Sequence, residues 1–579
     1  MKTQIDKEVL AKAESWLVGN YDEDTKSTIR DMIDNNPQEL TESFYRDLEF
    51  GTGGLRGIMG VGSNRMNKYT VGAATQGMAN YLKMNFPTLD IIKVAIACDS
   101  RNNSNYFAQI TADVFSANGI KVYLFDSLRP TPELSFAIRH FGCQGGIVIT
   151  ASHNPKEYNG YKAYWDDGGQ LISPHDKNVI NEVLKIKDIS DVKFEGNKDI
   201  IETIGEDVDK VYLDKIHELT LSPDAIKKQK DFKIVYTPIH GTGYRLVPQI
   251  LKKFGFEKVY VVDEQIVPDG NFPTVKSPNP EESAALELAM KKANEIDADL
   301  VMATDPDADR VGIAIRKGDE MMLLNGNQAA SLLVYYLLTK WNELGKLTGN
   351  EFIVKTIVTS ELLVKIAKKY DVEYFDVLTG FKFIADKIKS FEGEKTFIGG
   401  GEESYGYLVG DFVRDKDAVI ACAMIAETAA WAADRGIGLY DLLMDIYLQF
   451  GLFKEKLISV VRKGKAGAEE IQEIMNGYRK TSPTSLGNSK VILVKDYQTS
   501  ISKDMESGIE EVINLPKSNV LQFFTADGGK VTVRPSGTEP KIKFYFGVVA
   551  PLKSKDEYDK VNDELEQKIE SYVSDLGLD

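Results

Sequence analysis

Three short stretches hold residue types that can do chemistry together. Ser152 and His153 stand side by side in TASHNP, residues 150–155, directly after the apolar run Gly146-Ile147-Val148-Ile149. Asp305, Asp307 and Asp309 alternate through DPDADR, residues 305–310. Arg534, Ser536, Thr538 and Lys541 surround Gly537 in RPSGTEPK, residues 534–541. A serine beside a histidine suggests a hydrolase nucleophile. Serine hydrolases of the α/β type require G-x-S-x-G, which Thr150, Ala151, His153 and Asn154 do not supply. In an extended segment, residues at i, i+2 and i+4 share one side, so the three aspartates are expected to converge. Converging carboxylates repel unless a hard cation neutralises them, and all-oxygen ligands select Mg²⁺ or Ca²⁺. An EF-hand loop is excluded, because its sixth position would be Arg310 and its twelfth Arg316. Three protein ligands leave coordination positions open, which suits Mg²⁺ sharing a phosphate oxygen. RPSGTEPK combines hydroxyls, a guanidinium and a glycine turn into a phosphate cradle. It is not a Walker loop, since no GxxxxGK[ST] occurs in the chain. A metal site and a phosphate cradle point Ser152 toward phosphoryl transfer, with a phosphoserine completing the metal shell.

Three further stretches are less specific. GEESYG, 401–406, offers Glu402, Glu403 and Ser404 as partners for sugar hydroxyls, or as an acidic helix N-terminus. GTGGLRG, 51–57, fails the dinucleotide fingerprint because Arg56 takes the last glycine position. It reads as a turn, with Arg56 within reach of a phosphate if the loop faces a ligand. RDKDA, 414–418, sets Lys416 between two aspartates, a solvated charge run unless it folds back over a cleft.

The elements that must position these residues recur. KVAIACDS (93–100), KVYLFDS (121–127) and GGIVITASHNP (145–155) are strand-like runs separated by helix-like stretches. The order returns with KIVYTPIHGTG (233–243), KVYVVDE (258–264) and ADLVMATDPDADR (298–310). It returns again with EFIVKTIVTS (351–360), VEYFDVLTG (372–380) and KTFIGGGEESYG (395–406). Val- and Ile-rich runs alternating with helices predict largely parallel sheets covered on both faces. In each round a motif follows the third strand, where open α/β sheets bind ligands. After about residue 453 the pattern changes to antiparallel strands and a final amphipathic helix. Expected domains are therefore 1–207, 208–326, 327–452 and 453–579: three similar α/β domains and a C-terminal α+β domain.

Composition bounds the partners. The 579 residues are 43% apolar and 27% charged, as in an ordinary globular protein of several domains. A net charge of −17 argues against nucleic-acid binding. Cys98, Cys143 and Cys422 have no metal or redox spacing and read as reduced thiols. The first residues lack the apolar core of a signal peptide, and the apolar run at 418–433 contains Glu427 and is short for a membrane span. A cytoplasmic protein without membrane contact is expected.

With TASHNP, DPDADR, GEESYG and RPSGTEP in this order, nearly the whole chain resembles the α-D-phosphohexomutase superfamily, and within it the bacterial α-phosphoglucomutases. The resemblance implies four domains around a central cleft, the last like the TATA-binding protein. It implies interconversion of glucose 1-phosphate and glucose 6-phosphate through a phosphoserine enzyme. The cofactors implied are Mg²⁺ and glucose 1,6-bisphosphate as intermediate and activator. By motif, Ser152 is the phosphorylated nucleophile, and with Asp305, Asp307 and Asp309 it surrounds the metal. Arg310 contacts the reacting phosphate, and His153 and Lys416 are alternatives for proton transfer. Glu402, Ser404, Thr379 and Gly380 contact sugar, and Arg534, Ser536, Gly537 and Thr538 hold the second phosphate. Arg56, and Lys162 in NGYKAYW, are further substrate contacts. GTGGLRG and NGYKAYWDDGGQLISPHD also resemble the phosphopentomutase branch. A phosphopentomutase, a phosphomannomutase, glucose 1,6-bisphosphate synthesis, or a catalytically silent phosphorylated binding protein are the alternatives. The partner expected is a phosphosugar, and the assembly a monomer or weak dimer.

Overall fold

A computed structural model describes residues 5–51, 53–462, 464–536 and 541–578. One compact unit is built from the chain up to Leu324 together with Ile388–Ser390 and Tyr405–Asp434. The second holds Asn325–Lys387, Phe391–Ser404 and the chain from Arg435 onward.

The first sheet comprises β1 (Gly54–Ile58), β2 (Lys93–Cys98), β3 (Lys121–Phe125), β4 (Gly145–Ile149), β5 (Tyr158–Trp165) and β6 (Ile201–Ile204), in the order β1-β5-β4-β2-β3-β6. The second comprises β7 (Lys233–Thr237), β8 (Lys258–Val261), β9 (Leu300–Thr304), β10 (Val311–Lys317) and β11 (Glu320–Leu323), in the order β11-β10-β9-β7-β8. In the second unit β12 (Glu351–Thr356) lies between β13 (Glu373–Val377) and β14 (Thr396–Gly401), all parallel. The three rounds thus share one topology, with the third strand beside the first and the second beyond it. The third strands β4 and β9 and the first strand β12 are buried along their whole length, which is why they read as unbroken apolar runs.

The three rounds are largely parallel as expected, and β5 and β10 add antiparallel pairs by turning straight back onto the third strand of their round. Such a hairpin needs only a short turn, whereas a parallel partner needs a crossover. GTGGLRG is not a turn throughout: Gly54 opens β1, antiparallel to β5. Gly54 has φ +125°, and a Cβ there would lie 1.7 Å from the Tyr161 carbonyl oxygen, so its missing side chain serves strand pairing.

The short strand β15 (Tyr407–Val409) belongs to the first unit, and the chain after residue 451 forms β16 (Leu452–Val461), β17 (Ser485–Leu486), β18 (Ser489–Asp496), β19 (Ile501–Asp504), β20 (Glu510–Val512), β21 (Leu521–Thr525), β22 (Lys530–Pro535) and β23 (Lys541–Ala550). Its sheet runs β16-β23-β22-β21-β18-β19-β20, antiparallel at every step. The helix Tyr558–Asp575 buries Leu565, Ile569 and Tyr572. The expected class, three similar α/β domains followed by an α+β domain, holds.

The apolar run at 418–433 is the helix Ala418–Asp434, which is buried on all sides and therefore needs no polar face. It belongs to the first unit and packs on the helices Pro223–Lys228 and Gly243–Phe254. The expected third domain thus contributes residues to both units. The three cysteines are buried and free, and among the described residues no helix is long and apolar enough to cross a membrane.

Glu427 of this helix is fully buried and accepts the main-chain N–H groups of Leu221 (2.9 Å) and Ser222 (2.7 Å), at the start of Pro223–Lys228. Glu427→Ala leaves both donors buried without that acceptor. We expect it to lower stability by about 3 kcal/mol, the scale of charge-assisted bonds lost in an interior, as read from urea unfolding. A change under about 1 kcal/mol would mean that other groups or water take over the capping.

Candidate active site

The chain after β4 rises through Thr150 to Ser152, which is buried and has a left-handed φ of +52°. The Thr150 hydroxyl accepts the Ser152 N–H (2.8 Å) and donates to Asp99 Oδ2 (2.6 Å) at the end of β2. The Ser152 hydroxyl donates to Asp305 Oδ2 at 2.8 Å and lies 3.1 Å from His153 Nδ1. Burial, then the charges of Arg310 and Arg56, push the His153 imidazole well below its ordinary range. These effects favour its neutral form beside Ser152.

DPDADR follows β9, and here another expectation is corrected. The aspartates converge through a turn, with Ala308 left-handed at φ +48°, and not through an extended segment. The Asp305 carboxylate oxygen Oδ1 takes the N–H groups of Asp309 (3.1 Å) and Arg310 (3.0 Å), which closes the turn. One carboxylate oxygen from each of the three aspartates lies within 4.8 Å of the others, and all three residues are buried.

The basic residues around this cluster come from distant segments. Lys162 of β5 donates to Asp307 Oδ2 (2.6 Å) and Asp309 Oδ2 (2.9 Å). Lys416 reaches Asp309 Oδ2 and Asp415 Oδ1, each at 3.1 Å. Thr131, after β3, donates its N–H to the Asp307 carbonyl (2.9 Å) and its hydroxyl to Asp307 Oδ2 (2.8 Å). Burial works to raise all three carboxyls. At Asp309 the charges of Lys162, Lys416 and Arg310 overcome it and hold the group well below the carboxylate range. At Asp305 burial is joined by the two neighbouring carboxylates, and the group is pushed well above that range. Asp307 Oδ1 and Asp309 Oδ1 are buried and have no hydrogen-bond partner. Two such oxygens beside Asp305 form a donor set that fits a hard divalent cation.

The remaining expected residues fall as follows. Arg310 donates to Glu281 Oε1 at 2.5 Å. Arg56 is exposed on β1 and donates to Asn154 Oδ1 of the TASHNP loop at 3.2 Å. Lys416 is buried, so RDKDA is not a solvated run: Asp415 also accepts Tyr164 (2.7 Å) and Gln170 (3.0 Å). In the second unit Glu402 Oε1 accepts the Gly380 N–H at 3.0 Å, just before the helix Phe381–Ser390, and Thr379 Oγ1 is buried without a hydrogen-bond partner. Ser404 is half-buried in the turn after β14. Glu403 Oε2 takes the hydroxyls of Thr356 (3.2 Å) and Thr359 (3.3 Å). Arg534 closes β22, and the Ser536 N–H donates to the Lys541 carbonyl at 2.8 Å. Gly537 and Thr538 lie outside the described residues. The first unit therefore brings together Ser152, His153, Lys162, Asp305, Asp307, Asp309, Arg310 and Lys416. Sequence reasoning missed Asp99, Thr131, Glu281 and Asp415. The available signal was position, since Asp99 and Thr131 each follow a strand end.

Three α/β rounds with a buried serine beside a buried carboxylate cluster define a phosphotransfer class of enzyme. Models of the phosphoglucomutase/phosphomannomutase α/β/α domains I, II and III match residues 47–190, 210–318 and 325–450. The phosphoglucomutase of Staphylococcus haemolyticus is 37% identical over 538 residues, 92% of this chain and 96% of that one. That of Staphylococcus aureus is 38% identical over 519 residues, 89% of this chain and 92% of that one. Among solved structures, parafusin from Paramecium, an exocytosis-sensitive phosphoprotein and phosphoglucomutase, has a similar fold. Its TM-score is 0.69 at 18% identity, covering 92% of this chain and 95% of that one. A phosphoglucomutase/phosphomannomutase family protein from Burkholderia thailandensis gives 0.64 at 17%, covering 90% and 97%. The chain belongs to the phosphoglucomutase/phosphomannomutase family, in the α-D-phosphohexomutase superfamily.

Gly406 allows the approach of Lys416: a Cβ there would lie 2.2 Å from Lys416 Cδ. We expect Gly406→Ala to displace the ammonium from Asp309 and to cut kcat by at least about tenfold in a steady-state assay, because misplacement of this order is costly at a reacting centre. Unchanged kcat would show that Lys416 can act from elsewhere or is not needed.

Proposed function

We propose that the chain, an intramolecular phosphotransferase of the isomerase class, interconverts glucose 1-phosphate and glucose 6-phosphate through phospho-Ser152 and glucose 1,6-bisphosphate. The observation that carries this reading is the 2.8 Å contact of the Ser152 hydroxyl with Asp305, at the edge of a buried three-carboxylate cluster. The relatives named phosphoglucomutase, similar over nine-tenths of the chain, support glucose as the sugar.

In the forward half-reaction the phosphoserine P–Oγ bond breaks as the 6-hydroxyl of glucose 1-phosphate forms a bond to phosphorus. The hydroxyl loses its proton to a nearby base, and Ser152 Oγ regains one. After the bisphosphate turns over, Ser152 Oγ gives up its proton and attacks the phosphoryl group on C1, the bond from phosphorus to the C1 oxygen breaks, and that oxygen takes a proton as glucose 6-phosphate leaves. His153, neutral beside Ser152, and Lys416 are the proton carriers of this reading. Lys162 and Arg310 lie beside the carboxylate cluster and can balance the charge of the transferring group. Asp305, Asp307, Asp309 and the phosphorylated Ser152 would hold Mg²⁺, which when bound supplies electrostatic stabilisation of the phosphoryl oxygens. Glu402, Ser404, Thr379 and Gly380 are assigned to sugar hydroxyls. Arg56, Arg534, Ser536, Gly537 and Thr538 are assigned to phosphate. We place the domains at 1–207, 208–326, 327–452 and 453–579, and the protein in the cytoplasm as a monomer or weak dimer.

The deciding experiment is a coupled assay with glucose 1-phosphate and a trace of glucose 1,6-bisphosphate, run beside mannose 1-phosphate and ribose 1-phosphate. Glucose 1-phosphate should be turned over fastest. Ser152→Ala should fall below about 1% of wild-type activity while remaining folded by circular dichroism, since the exchange needs a covalent carrier. Retained activity would remove Ser152 from its role. Exhaustive chelation should abolish turnover, and Mg²⁺ should restore it at least about tenfold better than Ca²⁺, which prefers more ligands. Full activity in the chelated protein would overturn the metal assignment.

A further inference from the structure

We infer that Arg101 is the positioning residue of the nucleophile, holding the TASHNP loop so that the Ser152 hydroxyl keeps its aim before and after phosphoryl transfer. The inference rests on the reading of Ser152 as the phosphorylated residue. Arg101 follows β2, is 3% exposed, and spends its guanidinium on main-chain carbonyls of the loop. Its Nη2 donates to the carbonyls of Ser152 (2.6 Å) and Asn154. Its Nη1 donates to those of Pro155 (2.9 Å) and Tyr158 (3.1 Å). Its Nε lies 3.3 Å from Asp99 Oδ2, and the Phe272 ring packs against the guanidinium at 5.1 Å.

The same aspartate reaches Ser152 from the other side. Asp99 is fully buried and accepts the Arg101 N–H (3.0 Å), the Ser104 hydroxyl (2.7 Å) and the Thr150 hydroxyl (2.6 Å). Thr150 in turn accepts the Ser152 N–H. The N–H and the carbonyl of Ser152 are thus both tied to one buried Arg–Asp pair. This matters because Ser152 holds a φ of +52°, which non-glycine residues avoid unless their surroundings enforce it. That φ sets the direction of Cβ, and with it the direction of Oγ. Arginine suits the task because its planar fork presents donors in two directions, whereas a lysine has one nitrogen.

The test uses the full-length enzyme with Arg101→Lys, which keeps the charge beside Asp99 and loses the fork. Phosphorylation of Ser152 by glucose 1,6-bisphosphate in the presence of Mg²⁺ is timed by intact-protein mass. In parallel, kcat and KM for glucose 1-phosphate and the thermal midpoint are measured. We expect kcat and the phosphorylation rate to fall together by about 100-fold, the scale of an ångström-level misplacement, with KM little changed and the protein still folded at the assay temperature despite a lowered thermal midpoint. Rates within about twofold of wild type would overturn the inference, and so would a fall explained wholly by lost thermal stability. Thr150→Val, which cuts the other tie, should show the same loss in kcat without a rise in KM. Unfolding of both variants would assign the pair to the domain's stability and overturn the positioning role. Wild-type protein that takes no phosphate on Ser152 would overturn the reaction reading itself. Wild type and Arg101→Lys phosphorylated equally fast would overturn the role of Arg101 alone.

Discussion

Three carboxylates buried within 4.8 Å of one another are the constraint around which the first unit is arranged. In a low-dielectric interior such a cluster is tolerated only if charge is matched and oxygens are bonded. Lysines arrive from two distant segments, Lys162 on β5 and Lys416 after the return from the second unit. Thr131 closes one side, and the turn's own N–H groups close another. The match is incomplete, since two oxygens remain without a hydrogen-bond partner, and this is the feature a divalent cation would complete. Ser152, bonded to Asp305, sits at the edge of this cluster.

The repeated topology explains where the motifs fall. With the third strand beside the first, the connection from first to second strand leaves in one direction and the next returns in the other. The crevice between first and third strands is the switch point, where loops diverge and ligands have room. In each round the loop after the first strand supports the motif after the third. Asp99, after β2, holds Thr150. Thr242, after β7, donates its N–H to the Pro306 carbonyl at 2.8 Å. Thr356, at the end of β12, and Thr359 beyond it hold Glu403. The chemistry-bearing loop and its support thus come from neighbouring strand ends, far apart in sequence.

The second unit handles buried charge in a similar way. Lys355 and Lys530 both reach Glu361 Oε1, at 3.1 and 2.7 Å, and Lys355 also meets Asp376 at 2.8 Å. Burial works against the Lys355 ammonium, but Asp376 and Glu361 raise it above the ordinary lysine range. These contacts tie β12 and β13 to β22 within the unit. A matched pair of this kind is costly to break from one side.

The sequence by itself determined what is local. Short Val- and Ile-rich runs alternating with helix-like stretches marked three α/β domains by their recurrence, and the change after about residue 453 to antiparallel strands and a final amphipathic helix marked the fourth. The motifs were legible because each packs its chemistry into six or eight consecutive residues, as in DPDADR and RPSGTEPK. Tertiary structure decided what depends on long-range contact. Whether the aspartates converge along a strand or around a turn depends on a left-handed Ala308, which a period-two pattern does not encode. Whether RDKDA is solvated depends on Asp309, more than a hundred residues earlier in the chain. Arg101, Thr131 and Glu281 are common residue types in ordinary surroundings until folding brings their partners within 3 Å or so. The parallel cores of the sheets were legible because strand composition records burial, while the antiparallel hairpins at β5 and β10 depend on short connections that leave burial unchanged.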